Sequence, residues 1–321
     1  MPCSVHFKSL RIEDLSELND RHTLYTFDPR SILDECLGKH RYIVSCENLL
    51  CQMLQGQFTA VNQYAAKLPH PERNTAFVVP ITGDPRPSMY ARMQNLEFPV
   101  GIERLYACVP HPEADRLASS LNLHLNVSHT DFLRYNDKIA QKTLLGELTP
   151  NWSLIDPKTY LFEETEDCFF KRANGAGGYA TFHSSDRQGM QLPSRKYPAV
   201  WYKEETVEGE PRSVQLYKTL EGEYVVFGYS EMRIIDRKTY AGGLMRRIQA
   251  LSLEKREQIH EALNRLDTLL NGYVGFLGLD FMENEQTIQV LEANVRVTMA
   301  TFATLELNAS DQEELSFYRF R

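Results

Sequence analysis

The sequence predicts an α/β (α+β) chain built from three successive units: an open α/β domain over residues 1–134, a small antiparallel domain over 135–205 and an α+β domain over 206–321. Three observations predict it. Around Leu105–Val127 a strand-like run, a helical run and a second strand-like run alternate, as they do in open α/β sheets. Between Cys168 and Tyr217 short apolar runs are broken by glycine-rich and polar turns, the pattern of antiparallel strands. From Leu253 onward a long amphipathic stretch precedes two strand-like runs joined by a polar turn.

In the first unit the clearest strand is Ala76–Pro80, followed by a turn at Gly83–Pro85. Leu105–Val109 reads as a strand stopped by Pro110, Glu113–Leu121 as a helix and Leu123–Val127 as the next strand. No G-x-G-x-x-G follows either strand, so a dinucleotide fold has no support here. In the second unit Asn136-Asp137 offers N-cap chemistry to a helix that carries Ile139, Leu144, Leu145 and Leu148 and stops before Pro150. Cys168–Lys171 and Tyr179–Phe182 read as a hairpin with the glycine-rich tip Asn174–Gly178, and Ala199–Tyr202 and Ser213–Tyr217 as further strands. In the third unit Ile259, Leu263, Leu266, Leu269 and Leu270 recur at helical spacing, and Gly272 closes that helix. Tyr273–Met282 and Thr287–Val295 then read as two strands joined through Glu283–Gln286.

Forty-three acidic residues against 35 basic ones leave a net charge of −8 over 321 residues. An acidic balance disfavours a general nucleic-acid binder, which needs a basic face. With 42% hydrophobic and 24% charged residues the chain has the composition of a folded protein, not a disordered one. No run approaches the ~18 apolar residues of a spanning helix, and Met1–Leu10 lacks the apolar core of a signal peptide. A cytoplasmic protein with neither membrane nor nucleic acid as partner is expected. Cys3, Cys36, Cys46, Cys51, Cys108 and Cys168 form no C-x-x-C, so they read as reduced thiols, not as a zinc module or disulfide framework.

Chemistry-bearing residues gather late in the chain. Residues two apart on a strand share a face, so Glu292 and Asn294 point together, and a hairpin through Glu283–Gln286 brings Asp280 opposite them. Two carboxylates and an amide oxygen are hard ligands suited to Mg²⁺ held jointly with phosphates; the plain alternative is a solvated sheet face. Arg296 extends that face and could clamp a carboxylate or a phosphoryl group. Gly175, Gly177 and Gly178 would let backbone N–H groups approach an anion, with Lys171 reaching the same phosphates, although a glycine-rich tip is also an ordinary turn. Lys138, a cation in the first turn of its helix, opposes the macrodipole unless an anion sits there. Lys142, one turn on, is either a second contact to the same anion or an exposed side chain, and the exposed reading is the expectation.

Taken in order, Asn136-Asp137-Lys138, Phe170-Lys171 with the glycine-rich loop, Glu204-Glu205 before Gly209, Leu279-Asp280-Phe281 and Val290-Leu291-Glu292-Ala293-Asn294-Val295-Arg296 resemble the ATP-grasp superfamily over roughly residues 135–300. The resemblance implies an ATP-grasp architecture with an N-terminal pre-ATP-grasp-like domain, an ATP lid at 135–205 and the metal-binding domain at 206–321. It implies that Lys138 and Lys171 contact ATP phosphates under a loop at Asn174–Gly178, that Glu204, Glu205 and Val207 receive adenine, and that Glu210 lies near the ribose-binding acid. Pro211 leaves that last register open by one residue. Asp280, Glu292 and Asn294 match the ligands of Mg²⁺, for which Mn²⁺ could substitute. After Arg296 the family's Pro- or Gly-rich text is replaced by Val297–Thr301. The implied activity is ATP-dependent ligation of a carboxylate to an amine, amino acid or peptide, through an acyl phosphate, with Arg296, Arg246 and Arg247 as its contacts. The alternatives are a purine- or carbamoyl-phosphate-type carboxylating member, for which no biotin-linked or amidotransferase segment is present, and a nucleotide-binding regulatory or degenerate member without ligase activity. Small-molecule carboxylate and amine substrates are the expected partners, and a homodimer remains open.

Overall fold

A computed structural model of the chain describes residues 3–10, 23–26, 59–62, 75–78, 104–107, 110–156, 159–160, 166–174, 181–186, 200–237 and 239–318. The expected turn at Gly83–Pro85, the residues Cys36, Cys46, Cys51 and Cys108, and Gly175, Gly177 and Gly178 lie outside them. The described part holds three sheets, which accounts for the alternating and antiparallel patterns in the sequence.

The first sheet is parallel throughout. It orders strands β2 (Thr23–Thr26), β3 (Thr59–Asn62), β4 (Thr75–Val78), β5 (Arg104–Ala107) and β6 (His124–Leu125) as β4-β3-β2-β5-β6. Helix α1 (Pro112–Ser120) connects β5 to β6, with Pro112 at its first position and His111 as its cap. It buries Ala114, Leu117 and Ala118. β6 is shorter than Leu123–Val127 because Asn126 turns its side chain onto the backbone of Ala107 (2.8 Å to its N–H).

The second sheet is antiparallel, ordered β7-β10-β8-β9 from β7 (Trp152–Ile155), β8 (Cys168–Arg172), β9 (Thr181–His183) and β10 (Trp201–Glu205). The third, of seven strands, runs β15-β14-β11-β12-β13-β16 and comprises β11 (Glu210–Lys218), β12 (Tyr224–Ile235), β13 (Thr239–Arg246), β14 (Gly275–Glu283), β15 (Ile288–Asn294) and β16 (Glu314–Tyr318). Strand β1 (Val5–Phe7) adds to it parallel to β12, so residues assigned from the sequence to the first unit complete the last one.

Helix α4 (Leu253–Leu266), capped by Ser252, lays Ile259, Ala262, Leu263 and Leu266 on one face of this sheet against Val214, Leu216, Leu279, Phe281 and Val290. Helix α3 (Lys138–Leu145) joins the same core through Leu145 and packs on α4 and β15. It therefore belongs with the large sheet, while the small sheet itself begins at Trp152. Two helices were not legible beforehand: α2 (His129–Tyr135), capped by Ser128, and α5 (Met299–Ala309), started by a Thr298/Thr301 capping box. α5 covers the opposite face of the sheet so closely that a β-carbon on Gly228 would fall 1.9 Å from Thr304 Cγ2.

Candidate active site

Strands β14 and β15 form the expected hairpin. Asn284 Oδ1 accepts from the N–H groups of Gln286 (3.0 Å) and Thr287 (2.8 Å), which closes the turn and fixes the register. Asp280 then pairs with Glu292 and Gly278 with Asn294, so the three candidate ligands share one face. Asn294 Nδ2 donates to Asp280 Oδ2 (2.9 Å) and Glu292 Oε1 (3.3 Å), and Arg296 Nη2 donates to Asn294 Oδ1 (3.2 Å).

Helix α3 delivers the next cation. Strand β15 is an edge strand, and α3 meets its backbone as a neighbouring strand would. Ala293 exchanges N–H and C=O bonds with the Gln141 amide, each 2.9 Å, and Val295 N donates to Asn136 Oδ1 at 2.9 Å. Asp137 alone caps α3, accepting from Ile139 N and Ala140 N, which frees Asn136 for this contact. The docking sets Lys138 over Glu292, and the two form an ion pair.

These charges decide the protonation of the pair. Burial, then the adjacent Glu292, pushes the Asp280 carboxyl up, against a hydrogen bond from Ser213 and the charges of Arg296 and Lys138. Burial also works against Glu292, but Lys138, Lys171 and Arg296 outweigh it and hold that carboxyl below its usual range. The donor set of Asp280, Glu292 and Asn294 fits a hard divalent cation shared with phosphate oxygens. Presenting Asn294 Oδ1 to that cation takes a half-turn of the amide, which Arg296 now holds the other way.

The small sheet contributes a second cluster. Glu204 on β10 is 1% exposed and ion-paired to both Lys142 and Lys171. Lys142, also 1% exposed, donates to Thr149 Oγ1 (2.9 Å) and lies over the Tyr202 ring. The expectation that Lys142 is an exposed side chain is corrected: its side chain is covered by Glu204 and Tyr202 of β10 in the small sheet. Burial, then Lys171, works against ionisation of Lys142, whose affinity for its proton falls despite Glu204. Lys171 joins the two clusters, since its charge also acts on Glu292.

Other expected residues fall elsewhere. Glu205 turns outward, where Asn151 Nδ2 donates to it (2.8 Å). Val207 lies half-buried in the linker and Glu210 is exposed at the start of β11, opposite Glu283. The segment joining β10 to β11 meets the end of β14 at Gly209, whose φ of +145° and approach of a built β-carbon to Glu283 O (2.6 Å) both require glycine. Asn174 is exposed in the turn after β8. Arg246 and Arg247 do not reach the hairpin. Asp280, Ser213, Ser230 and Met245 are successive cross-strand partners, so Met245 shares the Asp280 face and Arg246 takes the other, bonded to Glu231 (2.6 Å) and paired with Glu314 (3.2 Å). Arg247 donates to the carbonyls of Gln312 (3.0 Å) and Ser310 (2.8 Å) and anchors the chain after α5. Both arginines read as structural. Among the described cysteines, burial pushes the Cys3 and Cys168 thiols up to about 11, which suits inert thiols.

A family model described as an ATP-grasp domain matches residues 135–300. Among solved structures the chain is similar to an L-amino acid ligase from Bacillus licheniformis at 14% identity, covering 88% of this chain and 69% of that one with a TM-score of 0.58. It is similar to an N5-carboxyaminoimidazole synthetase from Staphylococcus aureus complexed with ADP at 10% identity, with 94% and 79% covered and a TM-score of 0.57. An ATP-grasp superfamily protein from Archaeoglobus fulgidus matches at 15% identity over 89% and 87% of the two chains, with a TM-score of 0.53. At these identities the likeness is one of fold. No curated protein matches the sequence significantly.

Proposed function

The chain belongs to the ATP-grasp domain family, and we propose that it is an ATP-dependent ligase that joins a carboxylate to an amine through an acyl phosphate, releasing ADP and phosphate. One observation carries the reading. Asp280, Glu292 and Asn294 share a face with Arg296, while Lys138 and Lys171 act on the same Glu292 from a helix and from the small sheet. That arrangement gathers cations and hard oxygen donors where a polyphosphate and a divalent metal would meet.

In this reading Lys138 and Lys171 leave their carboxylate partners for phosphate oxygens, and Asp280, Glu292 and Asn294 hold Mg²⁺. When bound there, the metal neutralises charge on the phosphates. Arg296 orients the substrate carboxylate, one oxygen of which attacks the γ-phosphorus as the bond to the ADP oxygen breaks. The amine then attacks the acyl carbon, phosphate departs with the former carboxylate oxygen, and the amine proton is lost to solvent. The glycine-rich loop, Glu204, Glu205, Val207 and Glu210 are proposed for the nucleotide. A small-molecule carboxylate and amine, an amino acid or peptide among them, are the proposed substrates. Arg246 and Arg247 are left out because their side chains are engaged away from this face. No described helix is long and apolar enough to cross a membrane.

The test follows the oxygen. With ¹⁸O in the carboxylate substrate, label should appear in released phosphate, because the attacking oxygen stays on phosphorus. Simple hydrolysis takes that oxygen from water, and adenylation would leave it on AMP. If label stays out of phosphate for every carboxylate that stimulates turnover, the ligase reading fails and nucleotide binding without ligation replaces it.

A further inference from the structure

The reaction above gives Lys142 no part, yet its surroundings differ from those of the other buried lysines. Lys218 donates to Asp267 (2.7 Å) and Leu270 O (3.0 Å), and Lys255 donates to Asn284 O (2.6 Å). Neither shares its recorded partners with a second lysine. Glu204, by contrast, carries Lys142 on Oε2 and Lys171 on Oε1.

The two lysines are not equivalent. Lys142 stands on α3, its side chain 1% exposed and its ammonium held by Thr149. Lys171 stands on β8 with a side chain 16% exposed and with Glu204 as its ion-pair partner. One cation is therefore fixed and the other can move toward the hairpin. A buried carboxylate stripped of its last counter-ion is strongly disfavoured, so a lysine that is its sole partner stays where it is. With a second lysine already in place, the carboxylate remains paired when the first one leaves.

We propose that Lys142 is the resident counter-ion of Glu204, a positioning residue whose fixed charge releases Lys171 to bind the nucleotide's phosphates. The inference rests on the reading of Lys171 as a phosphate contact. It assigns Lys142 no contact with nucleotide, and it explains why a cation is sealed inside a helix face that otherwise buries Gln141 and Leu145.

The consequence is specific to phosphate. Calorimetry on the full chain would compare adenosine with Mg²⁺-ATP for the wild type, Lys142→Met and the double variant Lys142→Met/Glu204→Gln. The quantity read is the advantage of ATP over adenosine. In Lys142→Met it should shrink roughly tenfold or more, the worth of one charged contact, because Lys171 is retained by Glu204. In the double variant it should return to the wild-type value, since no buried carboxylate holds Lys171 back. An undiminished advantage in Lys142→Met, or a double variant as impaired as the single one, overturns the proposal. A purely structural lysine would weaken both ligands alike and leave the ratio unchanged. Any adenine contact of Glu204 is lost to adenosine and ATP alike and does not move the ratio; should Lys142→Met not fold, Lys142→Gln, which keeps a polar group beside Thr149 but no charge, is read in its place with the same loss and the same recovery expected. A wild type that binds no ATP brings down the nucleotide reading itself, a result visible before any substitution is made.

Discussion

Gln215 donates its side-chain N–H to Ser213 Oγ at 3.0 Å, and this bond sets the direction in which Ser213 sends its own proton. The amide cannot turn round, because Thr298 (2.8 Å) and Thr301 (3.0 Å) both donate to its oxygen. With an N–H pointing at it, the Ser213 oxygen accepts, and its O–H donates to Asp280. Sequence and fold meet here: the capping threonines of α5 fix a proton arrangement that ends on a candidate metal ligand.

Ser213→Ala should therefore act in two ways. It leaves the Gln215 N–H buried without an acceptor, at a cost of ~1–3 kcal/mol in urea unfolding. It also takes a donor from Asp280, so the Mg²⁺ concentration needed to support ATP binding should rise. Wild-type values in both measurements would show that the chain of bonds is incidental.

Glu292→Gln removes the charge that Lys138 and the proposed cation share. Phosphate release from ATP should fall to background while the circular dichroism melt stays cooperative, since the side chains of Glu292 and Lys138 keep solvent contact. Turnover at the wild-type rate would sink the metal assignment.

Gly228→Ala probes the docking of α5. The added methyl would overlap Thr304, and overpacking at such a contact costs ~1–3 kcal/mol. Thr304→Ala in the same chain should recover part of that loss in denaturant midpoint. Two losses that simply add would contradict the close approach.

Acid should weaken the far face of the sheet. Burial opposes ionisation of Glu231, but Arg246 and Arg212 outweigh it and hold the carboxyl below its ordinary value of 4.5. A depressed acid stabilises the fold fully above its unfolded-chain value, and that contribution disappears as pH falls through the lowered folded value. The melting temperature should thus decline in that acid window, and Arg246→Met should make the decline shallower. A slope identical to wild type would separate Arg246 from Glu231.

How far the sequence could be read varied with distance along the chain. Asp280, Glu292 and Asn294 were legible because strand period and a polar turn are local, and both are enough to bring them to one face. Helix α1 and strands β4, β5 and β6 were legible for the same reason, whereas β2 and β3 of the same sheet were not. Lys142 was not, because its burial depends on Glu204, a partner remote in sequence, and no local pattern marks that meeting. Which face Arg246 takes was not legible, because only the cross-strand pairing of Ser230 with Met245 shows it. Helix α2 has no apolar stripe long enough to announce it, while the threonine pair that starts α5 was a signal passed over.

Strand β1 has a bearing on how the protein is made. Val5 stands in register with Tyr224, whose N–H donates to Ser4 O at 2.8 Å, so this segment leaves the ribosome long before its place exists. The parallel sheet formed by the strands between them can assemble during that interval, because its own pairings join segments much nearer one another. Closing so distant a contact is slow for reasons of chain entropy, and until it closes the tyrosine end of β12 keeps an unpaired backbone edge. Nascent chains stalled before β12 emerges should accordingly leave Val5–Phe7 open to proteases and chaperones, and the segment should gain protection only once β12 is out.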